Sequence, residues 1–187
     1  KFELYKYVML ERSQIENIDS FSVSQQRQIE SELKNKTIIN KEAIKEFLNT
    51  LSYPIYHLDF ETFQQAIPEF VGLSPYAQIP FQYSLHIEYE DGTLKHKEFL
   101  APDGVDPREQ IAKRLVEDIP SNVTVLAYNM GFEKGVIRKL ASLFPNLSNS
   151  LMAIHDNCKD LMTPFANKDY YHPNMKGSYS IKYVLPA

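Results

Sequence analysis

The sequence predicts an α/β fold in which a mixed β-sheet is flanked by helices and preceded by a helical N-terminal extension. Three observations predict this class. Apolar runs that alternate or are rich in β-branched residues indicate four strands between residues 55 and 128. The dipeptide Asp91-Gly92 lies between two of these runs and is a strong hairpin signal. A helical segment precedes the last strand, so that strand can return parallel to the first.

The first fifty residues are polar-rich and show the spacing of short helices. Asn40 is the predicted N-cap of one helix, and Ser22 or Ser24 begins another. The predicted helices of this region are Phe2–Leu10, Ser24–Glu30 and Lys41–Leu51. Because Ser52-Tyr53-Pro54 marks a boundary, we expect residues 1–52 to be a helical lead-in or the tail of an upstream domain. Residues 53–187 are then the main domain.

The remaining elements follow in order after that boundary. Residues 64–79 are a predicted loop that contains Pro and Gln. Asp106-Pro107 begins a helix in the favoured way, because a capping residue is followed by proline at the first helical position. The predicted strands are Ile55–Phe60, Phe81–Ile87, Leu94–Leu100 and Val123–Tyr128, and the predicted helices are Asp106–Asp118, Phe132–Leu143 and Leu147–Ile154. The order β-β-β-α-β-α-α is that of the ribonuclease H-like fold.

Composition excludes several functional classes. The single Cys158 excludes a disulfide framework and a cysteine-based zinc site, and it fits a reduced, cytoplasmic setting. A net charge of −4 gives no overall attraction to nucleic acid, so any such site must be local. No apolar run is long enough to span a bilayer, and no signal peptide is present. The chain begins at Lys1 without Met and ends at Ala187 after an apolar run, so we expect a piece of a longer protein.

The carboxylates of Asp59 and Glu61, at the end of the first predicted strand, are the most informative pair. Residues two apart on a strand point the same way, so these carboxylates share one face and repel unless something neutralises them. A divalent cation does so directly, and Mg²⁺ is usually bound by one or two carboxylates together with substrate phosphates. The alternative is an edge strand whose acids simply face water. This motif alone leaves both interpretations open.

Several motifs together resemble known nucleases. Asp59-Phe60-Glu61-Thr62 is similar to the first motif of the DEDD superfamily of 3′–5′ exonucleases, and Asn129 with Phe132-Glu133 stands in the place of the second. The further motifs are Tyr171-His172-Pro173, Gly177-Ser178-Tyr179-Ser180-Ile181-Lys182 and Val184-Leu185-Pro186. The combination resembles a poorly characterised bacterial family of domains of unknown function, sometimes joined to an upstream RecB-like nuclease domain. The resemblance covers roughly residues 53–187.

The resemblance implies phosphodiester hydrolysis with two Mg²⁺ or Mn²⁺ ions, which in such sites lie about 3.5–4 Å apart. Asp59 would bridge both ions, Glu61 would bind the first ion, and Glu133 would hold the second. The residues expected to bind the substrate are Thr62, Asn129, Phe132, Tyr171, His172 and Lys182. The aromatic and basic groups between Tyr171 and Lys182 suit base stacking and phosphate contact. A surface loop packed by its own tyrosines is the equally open alternative for that segment.

This chain departs from the superfamily pattern in two respects. Glu133 stands where the second motif normally has Asp. The side chain of Glu is longer by one methylene, so it can still reach a metal ion but holds it in a less fixed geometry. The third motif, with its Asp and general base, would lie beyond Ala187, so we expect the fragment to bind the first ion poorly. Asp160-Leu161 resembles a structural motif that opens a helix between the second and third motifs in relatives.

The expected function is that of a cytoplasmic, metal-dependent 3′–5′ exonuclease that acts on DNA or RNA. The expected partners are nucleic acid and an upstream nuclease domain in the same parent chain, without membrane association. A non-catalytic nucleic-acid-binding or scaffold module on the same fold is the alternative, and the Glu at the second motif leaves it open. An endonuclease or resolvase is disfavoured because the Asn129–Glu133 motif resembles exonucleases.

Overall fold

The computed structural model describes residues 18–187, and the predicted helix Phe2–Leu10 lies outside them. The helices and strands are, in chain order, α1 (Val23–Lys34), β1 (Ile38–Ile39), α2 (Lys41–Leu48), β2 (Ile55–Phe63), β3 (Ile79–Glu88), β4 (Leu94–Leu100), α3 (Arg108–Asp118), β5 (Thr124–Ala127), α4 (Gly131–Leu143), α5 (Ser148–Asp156), β6 (Cys158–Asp160), α6 (Thr163–Ala166), β7 (Tyr170–Tyr171) and α7 (Ile181–Val184). Among these described helices, none is long and apolar enough to cross a membrane.

The chain forms two compact units. Residues Leu51–Leu161 form one, called here the sheet unit. Residues 18–50 and Met162–Ala187 form the other, called here the terminal unit. The C-terminal segment that follows β6 thus groups with the N-terminal helices, and the predicted main domain, residues 53–187, includes residues from both units. The predicted domain limits stay a prediction.

The sheet unit contains a five-stranded mixed sheet with the order β4-β3-β2-β5-β6. Its first strand, β2, lies centrally, antiparallel to β3 and parallel to β5. This arrangement confirms the predicted ribonuclease H-like sheet, in which the hairpin partner lies on one side of the first strand and the returning strand on the other. The edge strand β6, at Cys158–Asp160, was not predicted, because three residues are too short to show a period of two.

One face of the sheet and three helices form the core. Along β2, the alternate residues Tyr56, Leu58 and Phe60 are buried, and their partners on β3 are Ile87, Leu85 and Tyr83. Helices α3, α4 and α5 contribute the apolar residues Ile111, Leu115, Val136, Ile137, Leu140, Leu151 and Ile154 to the same cluster. Since side chains alternate along a strand, Asp59 and Glu61 must point away from this core.

The terminal unit is joined by a short antiparallel pair, β1 with β7, and by polar contacts. The Asp169 carboxylate accepts hydrogen bonds from Arg27 at 2.7 Å and from the Asn40 side chain at 3.2 Å. The backbone N–H of Asn40 also donates to the Asp169 carbonyl at 2.7 Å. These contacts connect segments of the chain that are far apart in sequence.

The predicted N-caps of the terminal unit are confirmed, but both helices end at other residues than predicted, and α1 continues to Lys34 instead of ending at Glu30. Ser22 caps α1 in a capping box with Gln25, and the Asn40 side chain accepts from Ala43 N–H at the start of α2. Helix α2 ends at Leu48 instead of Leu51. The cause is Thr50, whose N–H and hydroxyl both donate to the Phe47 carbonyl and tighten the last turn.

Candidate active site

Strand β2 presents Asp59 and Glu61 on the sheet face opposite the core. Both side chains are exposed, and the Phe60 side chain between them is buried. Asp59 lies opposite Ser84 on β3, and Glu61 lies opposite Gln82. The register shifts directly after Glu61, because Thr62 pairs with Pro80 and Phe81 of β3 is left without a partner on β2. Irregularities of this kind are common beside active sites, and this one lies on β3, opposite the strand that carries the acids.

The carboxylate of Glu133 is buried at the beginning of α4. The residue is 3% exposed, and its Oε2 atom has no hydrogen-bond partner within the described part of the chain. The pKa of Glu133 is raised to about 7, mainly by burial and in smaller part by the negative charges of Asp59 and Asp160. A buried carboxylate oxygen without a partner is costly, so this position needs a proton or a cation.

The turn between β5 and α4 is held by Asp160. Asn129 has a left-handed backbone, with φ of 67°, which asparagine tolerates better than most residues. Its N–H donates to the Asp160 carboxylate at 2.9 Å. Asp160 ends β6 opposite Ala127, and the short helix α6 begins three residues later, at Thr163. The parallel pairing with β5 keeps residues 158–160 extended, and the Asp160 carboxylate accepts from the turn.

The structure brings the charges of Asp59, Asp160 and Glu133 together at one end of the sheet. Glu61 occupies the same strand face as Asp59, two residues further on. As the side chains stand, no group of three or more His, Cys, Asp or Glu residues in the described ranges could hold a metal ion. The donor chemistry still fits a hard divalent cation, because carboxylate oxygens are its preferred ligands and Glu133 Oε2 lacks a partner.

Three predicted substrate-binding residues lie in the sheet unit near these acids. Asn129 is exposed at the turn before α4. Thr62 is half-buried, directly follows Glu61, and lies opposite Pro80 on β3. Phe132 is half-buried and packs against the core, next to Glu133. Backbone order alone therefore places all three beside the two acidic motifs.

The other three predicted substrate-binding residues lie in the terminal unit. Tyr171 is fully buried, and its hydroxyl donates to Glu32 at 2.6 Å and accepts from Gly177 N–H at 2.8 Å. His172 is half-buried, and its Nδ1 accepts from Asn174 N–H at 3.1 Å. Lys182 is exposed on α7. The buried contacts of Tyr171 agree with the alternative interpretation, in which this segment is a loop packed by its own tyrosines. Lys182, in contrast, is accessible to a ligand.

Sequence reasoning missed the position of Asp160 relative to Glu133. Its charge acts on Glu133 and also raises the pKa of Tyr128, for which burial is the larger cause. The sequence carried no clear signal for this position, because the three residues of β6 are too short to show the period of a strand.

The comparison with known proteins gives one family. Residues 56–180, more than half of the chain, match the family model described as "Domain of unknown function (DUF2779)". No curated protein and no solved structure matches the chain. The matched range begins in β2, before Asp59, and ends after the Tyr171-His172 motif, so it includes the acidic residues of the site. The chain therefore belongs to the DUF2779 family.

Proposed function

We propose that this chain is the nuclease domain of a longer protein, a metal-dependent 3′–5′ exonuclease related to the DEDD superfamily. The observation that most supports the proposal is the buried, unpartnered Oε2 of Glu133 beside the charges of Asp59 and Asp160. Such an arrangement is unfavourable without a counter-charge, and acids of this kind are concentrated at functional sites. The order of the acidic motifs on β2 and α4 agrees with the resemblance.

In the proposed reaction, Asp59, Glu61 and Glu133 would hold Mg²⁺ or Mn²⁺ through their carboxylate oxygens. When bound, the cations would supply Lewis-acid chemistry for phosphodiester hydrolysis. Asp160 fixes the turn that positions Glu133 and is a positioning residue. Thr62, Asn129 and Phe132 border the acids and contact the end of the nucleic-acid strand. The substrate is DNA or RNA, and the compartment is the cytoplasm.

Cation binding is tested first without any activity assay. Mn²⁺ is added to the 187-residue chain at about pH 8, where Glu133 is ionised, and thermal unfolding is followed by circular dichroism. A ligand that binds only the folded state raises the melting temperature. Because the fragment is expected to bind the first ion poorly, we expect a small rise in the melting temperature of the wild type at high Mn²⁺ concentration, and we expect both Asp59→Asn and Glu133→Gln to lose it. Glu117→Gln, which changes an exposed glutamate of α3, is the control and should behave as wild type.

Activity is tested on the full-length parent protein with a 5′-labelled single strand. Progressive shortening in Mn²⁺ is expected, with a loss of at least about a hundredfold in Asp59→Ala, since removal of a metal-binding carboxylate removes the charge stabilisation of the transition state. A 3′-labelled strand should release labelled mononucleotide at once. Degradation by Asp59→Ala at the wild-type rate would place the nuclease in another domain of the parent.

One observation favours the alternative function, a non-catalytic nucleic-acid-binding module. In the described residues, no three acidic or other metal-binding side chains are grouped as a site. If the alternative holds, the chain binds single strands equally well in EDTA and in Mn²⁺, and neither Asp59→Asn nor Glu133→Gln changes the affinity. The exonuclease proposal predicts tighter binding with Mn²⁺.

A further inference from the structure

A cavity of about 420 Å³ lies in the sheet unit beside the candidate site. It is formed by α4, by the segment that precedes β3, and by the beginning of α3. Its apolar walls are Leu73, Ala77, Pro80, Val136, Leu140 and Leu143. The volume lies within the range of small-molecule sites, roughly 300–1,000 Å³. The cavity is large enough for one nucleotide and too small for a folded partner.

The cavity adjoins both acidic motifs. Val136 follows Glu133 by three residues on α4, a rise of about 4.5 Å, and the next wall residues of the helix are Lys139 and Leu140. On the opposite side, Pro80 pairs with Thr62, the residue after Glu61. The cavity therefore begins about one helical turn from Glu133, and none of the three acids lines it.

Lys139 gives the cavity its positive charge. The side chain is exposed, and its ammonium group contacts the Gln78 side-chain oxygen at 3.5 Å. Among the residues that the structure describes, no carboxylate forms an ion pair with Lys139. The other cation of the wall, Arg108, is held by the Asp106 carboxylate through bonds of 2.5–3.1 Å. Lys139 is thus the group available to an anionic ligand.

We propose that this cavity is a nucleotide subsite, in which the apolar wall receives one base of the strand and Lys139 binds its phosphate. The charge and the wall together specify the ligand, because a base has apolar faces and its phosphate requires a cation. The inference depends on the proposed function in one respect, namely that the end of the nucleic-acid strand lies at Asp59, Glu61 and Glu133. Binding of the nucleotide itself requires neither metal nor catalysis.

The test is calorimetric titration of the 187-residue chain with AMP or dAMP in EDTA. EDTA removes divalent cations, so the acids then repel phosphate and cannot account for binding. We expect AMP or dAMP to bind, adenosine to bind about tenfold more weakly, and inorganic phosphate to show no measurable binding. Such a difference follows from loss of one charge-assisted contact or of the base.

Matched variants identify the cavity as the site. Lys139→Gln should weaken AMP binding about tenfold and leave adenosine binding unchanged, because only the phosphate contact is lost. Ala77→Leu fills the apolar part and should weaken both ligands. Lys113→Gln is the control, since Lys113 lies on α3 outside the cavity and pairs with Glu109. Absence of AMP binding, or equal affinity in wild type and Lys139→Gln, would overturn the inference.

The same variants separate this inference from the proposed function. In the parent protein, Lys139→Gln should raise KM for a single strand while kcat is retained, whereas Asp59→Ala should abolish turnover yet bind AMP normally in EDTA. If Asp59→Ala stays active but AMP binding depends on Lys139, the exonuclease proposal fails and the subsite stands. If Asp59→Ala is inactive but Lys139→Gln changes neither KM nor AMP affinity, only the subsite fails.

Discussion

At the scale of single residues, Glu133 is the group whose surroundings differ most from those of an ordinary glutamate. It lies in the first turn of α4, where the helix dipole favours a negative charge, yet burial dominates. Its neighbours Asp59 and Asp160 are also acidic, so ionisation adds a third negative charge to one end of the sheet. The site is therefore least stable when it is most competent to bind a cation.

Glu133 should make the stability of the chain without metal depend on pH. Because burial raises its pKa from 4.5 to about 7, the folded state holds a proton that the unfolded state has lost across that window. The free energy of unfolding should therefore fall by about 3 kcal/mol as pH rises from about 4.5 to about 7. Urea unfolding of wild type and Glu133→Gln measures this, and the variant should lack the decrease. Identical pH slopes in the two proteins would contradict it.

At the scale of elements, a buried carboxylate joins α3 to the hairpin of β3 and β4. Asp118 is 4% exposed and accepts from Tyr83 at 2.6 Å, from Lys97 at 2.9 Å and from Arg114 at 3.1 Å. Burial alone would raise the pKa of Asp118, but the hydrogen bonds from Tyr83 and Lys97 and the charges of Lys97 and Arg114 outweigh it and lower that pKa. The Asp118 carboxylate, which accepts from all three residues, thus holds α3, β3 and β4 in one arrangement.

Removal of Asp118 should cost more than removal of any one partner. Asp118→Ala leaves the buried Tyr83 hydroxyl without its acceptor and should lower the free energy of unfolding by about 3 kcal/mol at neutral pH. Tyr83→Phe should cost about 1 kcal/mol, and the double variant should cost less than the sum. Urea denaturation measures all three, with Glu98→Ala on the exposed side of β4 as the control. If the two single losses in unfolding free energy add exactly in the double variant, the hydrogen bond between Tyr83 and Asp118 contributes nothing to stability.

The same carboxylate predicts acid sensitivity. A lowered pKa in the folded state means that Asp118 contributes stability above its unfolded pKa of about 3.9, and that this contribution is lost as pH falls below it. The pH dependence that Glu133 causes has the opposite sign, because it lowers stability as pH rises. Stability of the wild type should therefore pass through a maximum between the two transitions.

At the scale of the whole molecule, the chain divides into two units with separate polar contacts. The terminal unit depends on Asp169, whose carboxylate is shared by Arg27 and the Asn40 side chain. Residues 18–50 and Met162–Ala187 come together through this contact and through β1 and β7. The sheet unit has its own apolar core.

Asp169→Ala should loosen the terminal unit selectively. Loss of two hydrogen bonds to a buried carboxylate, one of them an ion pair, should cost that unit about 2–3 kcal/mol. Hydrogen exchange followed by mass spectrometry should then be faster in α1, α2 and α6, while exchange in β2, β3 and β5 stays at the wild-type rate. Glu30→Ala removes only an exposed i,i+4 pair with Lys34 and is the control. Equal acceleration in both units would mean that they unfold together.

Local patterns in the sequence predicted four strands of the sheet, the longer helices and the central place of β2. Alternation of Tyr56, Leu58 and Phe60 with Asp59 and Glu61 determines which face is buried, because the period of a strand is two. The Asp91-Gly92 hairpin and the capping signals at Ser22 and Asn40 are local, so they can be recognised without knowledge of the fold.

The surroundings of the individual side chains depended on the tertiary fold. That Glu133 is buried without a partner, that Asp160 meets Asn129, and that Tyr171 is enclosed by its own unit all depend on contacts between residues remote in sequence. Local spacing shows which face of a strand is buried, but it does not show which remote residues enclose a given side chain or bring a charge near it. The acidic motifs were therefore predictable as a set, whereas the pKa of Glu133 and the position of the cavity beside it were not.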